Sequence, residues 1–139
     1  MNKKIITQSI VWRFDGKELQ VLLLKRTPDR GGFWSAANGT KEDQETEQEC
    51  RVRELKEEIS IDVIEAWSDV FYEFTFKQEG TEYLVKACSA KVARNTAVII
   101  NEEHTKFQWV LPNQALKILR FDDDKKAMQE FIHKLEASS

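Results

Sequence analysis

A capping box fixes one helix in the middle of this chain. In Thr46-Glu47-Gln48-Glu49 the threonine side chain caps the helix start and Glu49 reaches back to it. The helix then runs to about Ile59. At 100° per residue, Val52, Leu55 and Ile59 share one side and are expected to face a core. Strand patterns lie on both sides of this helix. Residues 5–14 are β-rich and end on Asp15-Gly16, a hairpin signal. Val21-Leu22-Leu23-Leu24 is continuously apolar, as in a strand covered on both faces. Residues 27–32, with Pro28, Gly31 and Gly32, read as a loop, and a short strand covers 34–37. After the helix, 61–76 and 81–92 read as two long strands joined near Glu79-Gly80, with alternation in Phe74/Phe76 and Tyr83/Val85. Residues 94–104 form a polar loop and 107–111 a last strand. Pro112 suits the first turn of a helix through about Leu119. Asp122-Asp123-Asp124 precede a final helix striped by Met128, Phe131, Ile132 and Leu135. This order predicts an α/β fold, a mixed sheet with helices on its faces.

Length and charge narrow the rest. The 139 residues fit one domain spanning 1–139, with no repeat or linker dividing it. A net charge of −3 with no basic block argues against a nucleic-acid binder, so a phosphate-bearing ligand needs local cations or metal ions. Cys50 and Cys88 are too few and too far apart for a disulfide framework or a zinc site. The N-terminus has no signal-peptide core, and no run approaches the roughly 18 apolar residues of a membrane span. The cytoplasm is the expected compartment, with no membrane partner.

Glu54, Glu57 and Glu58 are the most informative residues. Spacings of three and four put them on one stripe of the helix. A solvated acidic face is the plain reading of such a triplet, but two local penalties weigh against it. Like charges at these spacings cost roughly 0.2–0.5 kcal/mol per pair. Glu57 and Glu58 also stand in the last turn, where the helix dipole favours cations by roughly 0.3–1 kcal/mol each. A hard divalent cation relieves both penalties, because magnesium takes oxygen ligands and accepts phosphate oxygens in the same shell.

Around these residues the chain reads Gly39-x5-Glu45-x7-Arg53-Glu54-Leu55-x-Glu57-Glu58-x-Ser60-Ile61. This resembles the Nudix box, G-x5-E-x7-R-E-U-x-E-E-x-G-U with U a bulky apolar residue, and departs from it only at Ser60. The resemblance implies a Nudix fold, an α/β/α sandwich with a mixed sheet, and metal-assisted attack of water on a pyrophosphate. Position by position, Glu54, Glu57 and Glu58 would hold Mg²⁺, or Mn²⁺ in its place. Glu45 and Arg53 would form a pair that orients the carboxylates. Gly39 would mark a tight turn whose carbonyl approaches the metal. Ser60 would occupy a left-handed helix cap where glycine is favoured.

Residues 33–63 and the stretch Glu103-His104-x4-Trp109 further resemble the bacterial dihydroneopterin triphosphate (dATP) pyrophosphohydrolases. That resemblance implies hydrolysis of a nucleoside-triphosphate-like or pterin triphosphate substrate to a monophosphate and pyrophosphate. Glu103 would be a further metal contact or the catalytic base, with Glu102 its neighbour-by-one alternative. Phe33, Trp34 and Phe71 are candidates to stack on a pterin or purine. Arg26, Arg30 and Lys41 are candidates to meet phosphates. The alternatives are a dinucleoside polyphosphate (Ap4A-type) hydrolase, an oxidised-nucleotide hydrolase, or a non-catalytic nucleotide-sensing module. A monomer and a homodimer both fit the sequence.

Overall fold

The structure is a computed structural model that describes residues 2–138. Its sheet comprises β1 (Asn2–Asp15), β2 (Glu18–Arg26), β3 (Trp34–Ser35), β4 (Ala37–Thr40), β5 (Ala66–Trp67), β6 (Tyr72–Gln78), β7 (Thr81–Lys91) and β8 (His104–Val110). The helices are α1 (Glu47–Ile59), α2 (Pro112–Ile118) and α3 (Asp122–Ala137). β1 and β7 run parallel along almost their whole length, and the other pairings are antiparallel. The sheet is therefore mixed, as its hairpins require.

β1 forks. Its C-terminal half (12–15) pairs with β2, while residues 6–9 pair with β4. The fork lets the two ladders diverge and opens a cleft beside β4. Adjacent residues of the central strands point to opposite faces. Ile10, Val21 and Leu23 pack beneath α3 with Met128 and Phe131. Val11, Leu22 and Leu24 pack beneath α1 with Leu55 and Ile59. The all-apolar run 21–24 is thus a strand covered on both faces, in an α/β/α sandwich.

The capping box of α1 forms as expected: Glu49 N donates to Thr46 Oγ1 (3.1 Å), and Thr46 N donates to Glu49 Oε1 (2.8 Å). Four details differ from the expectation. Val52 is 46% exposed, because the buried stripe of α1 runs through Cys50, Arg51, Leu55, Glu58 and Ile59. A carboxylate thus takes part of the face assigned to apolar residues. Residues 61–76 are not one strand; only β5 and β6 are regular there, because Ser68 Oγ accepts from Ser89 N (2.8 Å) and breaks the ladder between them. Asp122, Asp123 and Asp124 stand inside the first turn of α3, where the dipole favours anions. Gly39 lies within β4 opposite Thr7 rather than in a tight turn.

Ser60 adopts the left-handed conformation (φ 59°, ψ 32°) at the C-cap of α1, and its N–H donates to Lys56 O. A non-glycine residue there costs about 1–2 kcal/mol, partly offset by the 0.5–1 kcal/mol extra entropy a glycine loses on folding. Ser60→Gly should therefore stabilise the protein by about 0.5–1 kcal/mol in urea denaturation. A loss of stability would show that the 3.3 Å bond from Ser60 Oγ to Ile99 O outweighs the backbone term.

Candidate active site

The C-terminal half of α1 presents its carboxylates at the edge of β4. Arg53 organises them. Its Nε and Nη2 bind Glu45 through both carboxylate oxygens (3.0 and 2.6 Å), a fork-to-fork pair. Its Nη1 reaches Glu54 (2.8 Å) and Glu57 (3.2 Å), and Nη2 also donates to Thr40 O (3.2 Å). One guanidinium thus ties the loop before α1, the strand β4 and two glutamates of the stripe. Arg53 is thus a cation beside the stripe on the same helix, and it relieves part of the like-charge penalty. The hydrogen bonds from Arg53, joined by that from Glu42 N, hold the Glu45 carboxyl down to about 2.

Gly39 is required by proximity rather than by backbone conformation. A Cβ there would overlap Cγ and Cδ of Glu54. The strand and helix therefore approach closely enough to clamp the Glu54 side chain between them. Burial raises the Glu54 pKa, and Arg53 opposes the shift.

Glu58 is the anomalous member. It is 4% exposed, and its Oε2 is buried with no hydrogen-bond partner. Burial, then the nearby Glu54 and Glu103 carboxylates, pushes its pKa up to about 9. Glu103 comes from the loop ahead of β8. That loop is stitched to the end of α1 by Ile99 N→Ile59 O (3.1 Å) and Asn101 N→Glu58 O (3.0 Å), and Asn101 Oδ1 accepts from Glu103 N. Backbone bonds therefore bring Glu103 beside Glu58 across 45 positions of sequence. Arg30 pairs with Glu103 at 3.4 Å from the loop between β2 and β3.

Glu54, Glu58, Glu103, Gly39, Arg53, Arg26 and Lys41 all line one cavity of about 830 Å³. That volume suits a nucleotide-sized ligand. Glu45 and Glu57 stand outside its lining, one behind Arg53 and the other 58% exposed at its side chain. Phe33 and Trp34 do not line it either. Phe33 makes an edge contact with Phe121 (5.0 Å) and lies under Arg26, while Trp34 packs against the α3-side core. The aromatic rings that do line the cavity are Phe76 and Tyr83. In the sequence they showed only as strand alternation. Their signal was symmetry about Glu79-Gly80, which sets Phe76 opposite Tyr83. His104 also lines the cavity, with its Nδ1 buried and unpartnered and its pKa lowered by burial.

Among the described residues, no three acidic, histidine or cysteine side chains form a finished ligand cage. Arg53 and Arg30 instead hold Glu54, Glu57 and Glu103 in ion pairs. The chemistry of the donors nonetheless fits a hard divalent ion: all are oxygens, and the orphaned Glu58 Oε2 is what a cation would satisfy.

Residues 4–135 match the family model described as the NUDIX domain. The chain belongs to the Nudix hydrolase family. It is similar to the dihydroneopterin triphosphate diphosphatase of Escherichia coli K12, at 25% identity over 135 residues and 88% of each chain. A second relative, the octanoyltransferase of Myxococcus xanthus, is 33% identical over 108 residues, and the chain spans only 30% of that protein's length. Among solved structures, a binary complex of the C. elegans Ap4A hydrolase superposes with a TM-score of 0.85 at 22% identity, covering 96% of this chain and 98% of the other. That likeness establishes the fold. No helix among the described residues is long and apolar enough to cross a membrane.

Proposed function

We propose that this chain hydrolyses a pyrophosphate bond in a nucleoside-triphosphate-like substrate, of the dATP or dihydroneopterin triphosphate type, releasing a monophosphate and pyrophosphate. The observation that carries the reading is Glu58: a buried carboxylate with an orphaned oxygen, beside Glu54 and Glu103, in a cavity that also holds Arg26 and Lys41. A buried carboxyl with an unsatisfied oxygen, set against two other carboxyls, is costly for a fold that makes no use of it. The E. coli diphosphatase, similar over 88% of each chain, supports the substrate class.

In this reading Glu54, Glu57 and Glu58, with the Gly39 carbonyl and Glu103, hold Mg²⁺ or Mn²⁺. Bound there, the metal activates water and offsets charge on the leaving phosphates. Arg53, itself fixed by Glu45, orients Glu54 and Glu57. Arg26 and Lys41 neutralise phosphate oxygens by charge-assisted hydrogen bonds. Water forms a bond to the α-phosphorus as the bond to the bridging oxygen breaks. A carboxylate within hydrogen-bond reach of that water, Glu103 or one of the helix glutamates, accepts the proton.

Hydrolysis in ¹⁸O-labelled water with Mg²⁺ tests this. Label is expected in the monophosphate and none in the pyrophosphate, with turnover lost on chelation of the metal. Label in the pyrophosphate, or cleavage of dinucleoside polyphosphates alone, would assign the chain to an Ap4A-type reaction instead. Nucleotide binding without turnover would make it a sensing module.

A further inference from the structure

Arg26 reaches the cavity from the last position of β2, where the β2–β8 ladder shifts register after Lys25. A shift of this kind re-aims the side chain beside it. Its charge opposes the burial-driven rise of the Glu58 pKa, so the guanidinium stands near the carboxylates. Arg30 and Arg53 are already tied to Glu103 and to Glu45, Glu54 and Glu57. Arg26 is not: its Nε is buried without a hydrogen-bond partner.

What holds this arginine is a ring. Arg26 Cζ lies over Phe33, 5.3 Å from the ring centroid, and Arg26 N donates to Phe33 O (2.9 Å). The ring is itself fixed from two further sides. Phe121 meets it at 5.0 Å and 88°. A Cβ on Gly31 would stand 2.7 Å from Phe33 Cε1, so the ring lies directly against the glycine backbone. A planar guanidinium is attracted to an aromatic face, more strongly where water is excluded. An arginine held in this way loses less rotamer freedom when it meets an anion, which favours binding.

We propose that Phe33 is a positioning residue for Arg26, holding its guanidinium where it meets the substrate's phosphates. Phe33 thus acts on the anionic part of the substrate through Arg26 and does not touch the substrate's ring. This rests on the reading of the cavity as the substrate site.

Calorimetry with inorganic tripolyphosphate in Mg²⁺ tests this, because that ligand has phosphates but no ring. α,β-Methylene adenosine triphosphate is measured beside it. Phe33→Leu keeps an apolar side chain but removes the face beneath the guanidinium. It should weaken both ligands alike, each about tenfold, with Mg²⁺ affinity and melting temperature close to native. Phe33→Tyr should restore both. In an Arg26→Gln background, Phe33→Leu should cause no further loss, as expected of two residues that act as one. Unchanged tripolyphosphate affinity in Phe33→Leu would overturn the proposal, and so would a loss confined to the nucleotide, which would make Phe33 a stacking residue. An equal fall in Mg²⁺ affinity, an undiminished loss in the Arg26→Gln background, or failure of Phe33→Tyr to restore binding would overturn it as well. A native protein that binds tripolyphosphate in this Phe33-dependent way yet hydrolyses no triphosphate would overturn the hydrolase reading and leave the role of Phe33 in place.

Discussion

Glu58→Gln is expected to lower kcat/KM by about a hundredfold or more while raising the melting temperature in the presence of a chelator. The first effect follows from charge. Metal ions contribute several kcal/mol to such reactions, and each 1.36 kcal/mol is tenfold in rate. Glutamine keeps the volume and helix propensity of glutamate but is a poor ligand for a hard cation. The second effect follows from burial. Glu58 is 4% exposed, one of its oxygens has no partner, and Glu54 and Glu103 face it. An unpaired buried polar atom costs on the order of 1–3 kcal/mol, and the amide N–H of glutamine can donate to the neighbouring Glu54 or Glu103 carboxylate without first taking up a proton. Added Mg²⁺ should raise the melting temperature of the native protein and do so less in the variant, since a ligand stabilises only the state that binds it. Native turnover at saturating Mg²⁺ would sink the assignment of Glu58. A fall of several degrees in the chelated variant would make Glu58 a structural residue instead.

That opposition of stability and function explains which parts of the molecule the sequence displayed. Local rules were followed where packing decides: the capping box at Thr46 and the doubly covered strand at 21–24 appear in the structure as their residues require, whereas the left-handed Ser60 follows the family resemblance against the preference of serine. The carboxylate stripe was legible for the opposite reason, because it breaks charge and dipole rules at one place. What sequence could not display depends on long-range register. Glu103 reaches Glu58 only through the backbone bonds of the 99–101 segment to α1. Tyr83 joins the cavity because β7 runs parallel to β1 and sets it beside Lys4, and Phe76 follows as its partner across the β6–β7 hairpin. Phe33 was placed by nearness in sequence to the motif, yet its ring turns to Phe121, which lies 88 positions away. The strand expected over 61–76 failed at Ser68 because a side chain took the place of a ladder carbonyl, and hydrophobic alternation carries no sign of such a substitution.

Gly39→Ala separates positioning from ligation. Gly39 has no positive φ, and alanine suits a strand at least as well, so the backbone accepts the change. The added Cβ instead meets the Cγ and Cδ of Glu54, which can turn away about its own torsions only by giving up its place between β4 and α1 and its pairing with Arg53. Stability should fall only modestly, since the change displaces one side chain and its single ion pair rather than the backbone. Activity should fall about 10- to 100-fold, because a displacement near 1 Å in a catalytic constellation costs on the order of 10²-fold. The decisive comparison is with Glu54→Ala and the double variant. If Gly39 acts by making room for Glu54, its substitution should add no further loss once that side chain is absent, as expected for residues working as one unit. Native activity in Gly39→Ala would show that Glu54 need not sit against β4. Fully additive losses would instead give the β4 backbone at Gly39 a role of its own, such as an approach of its carbonyl to the metal.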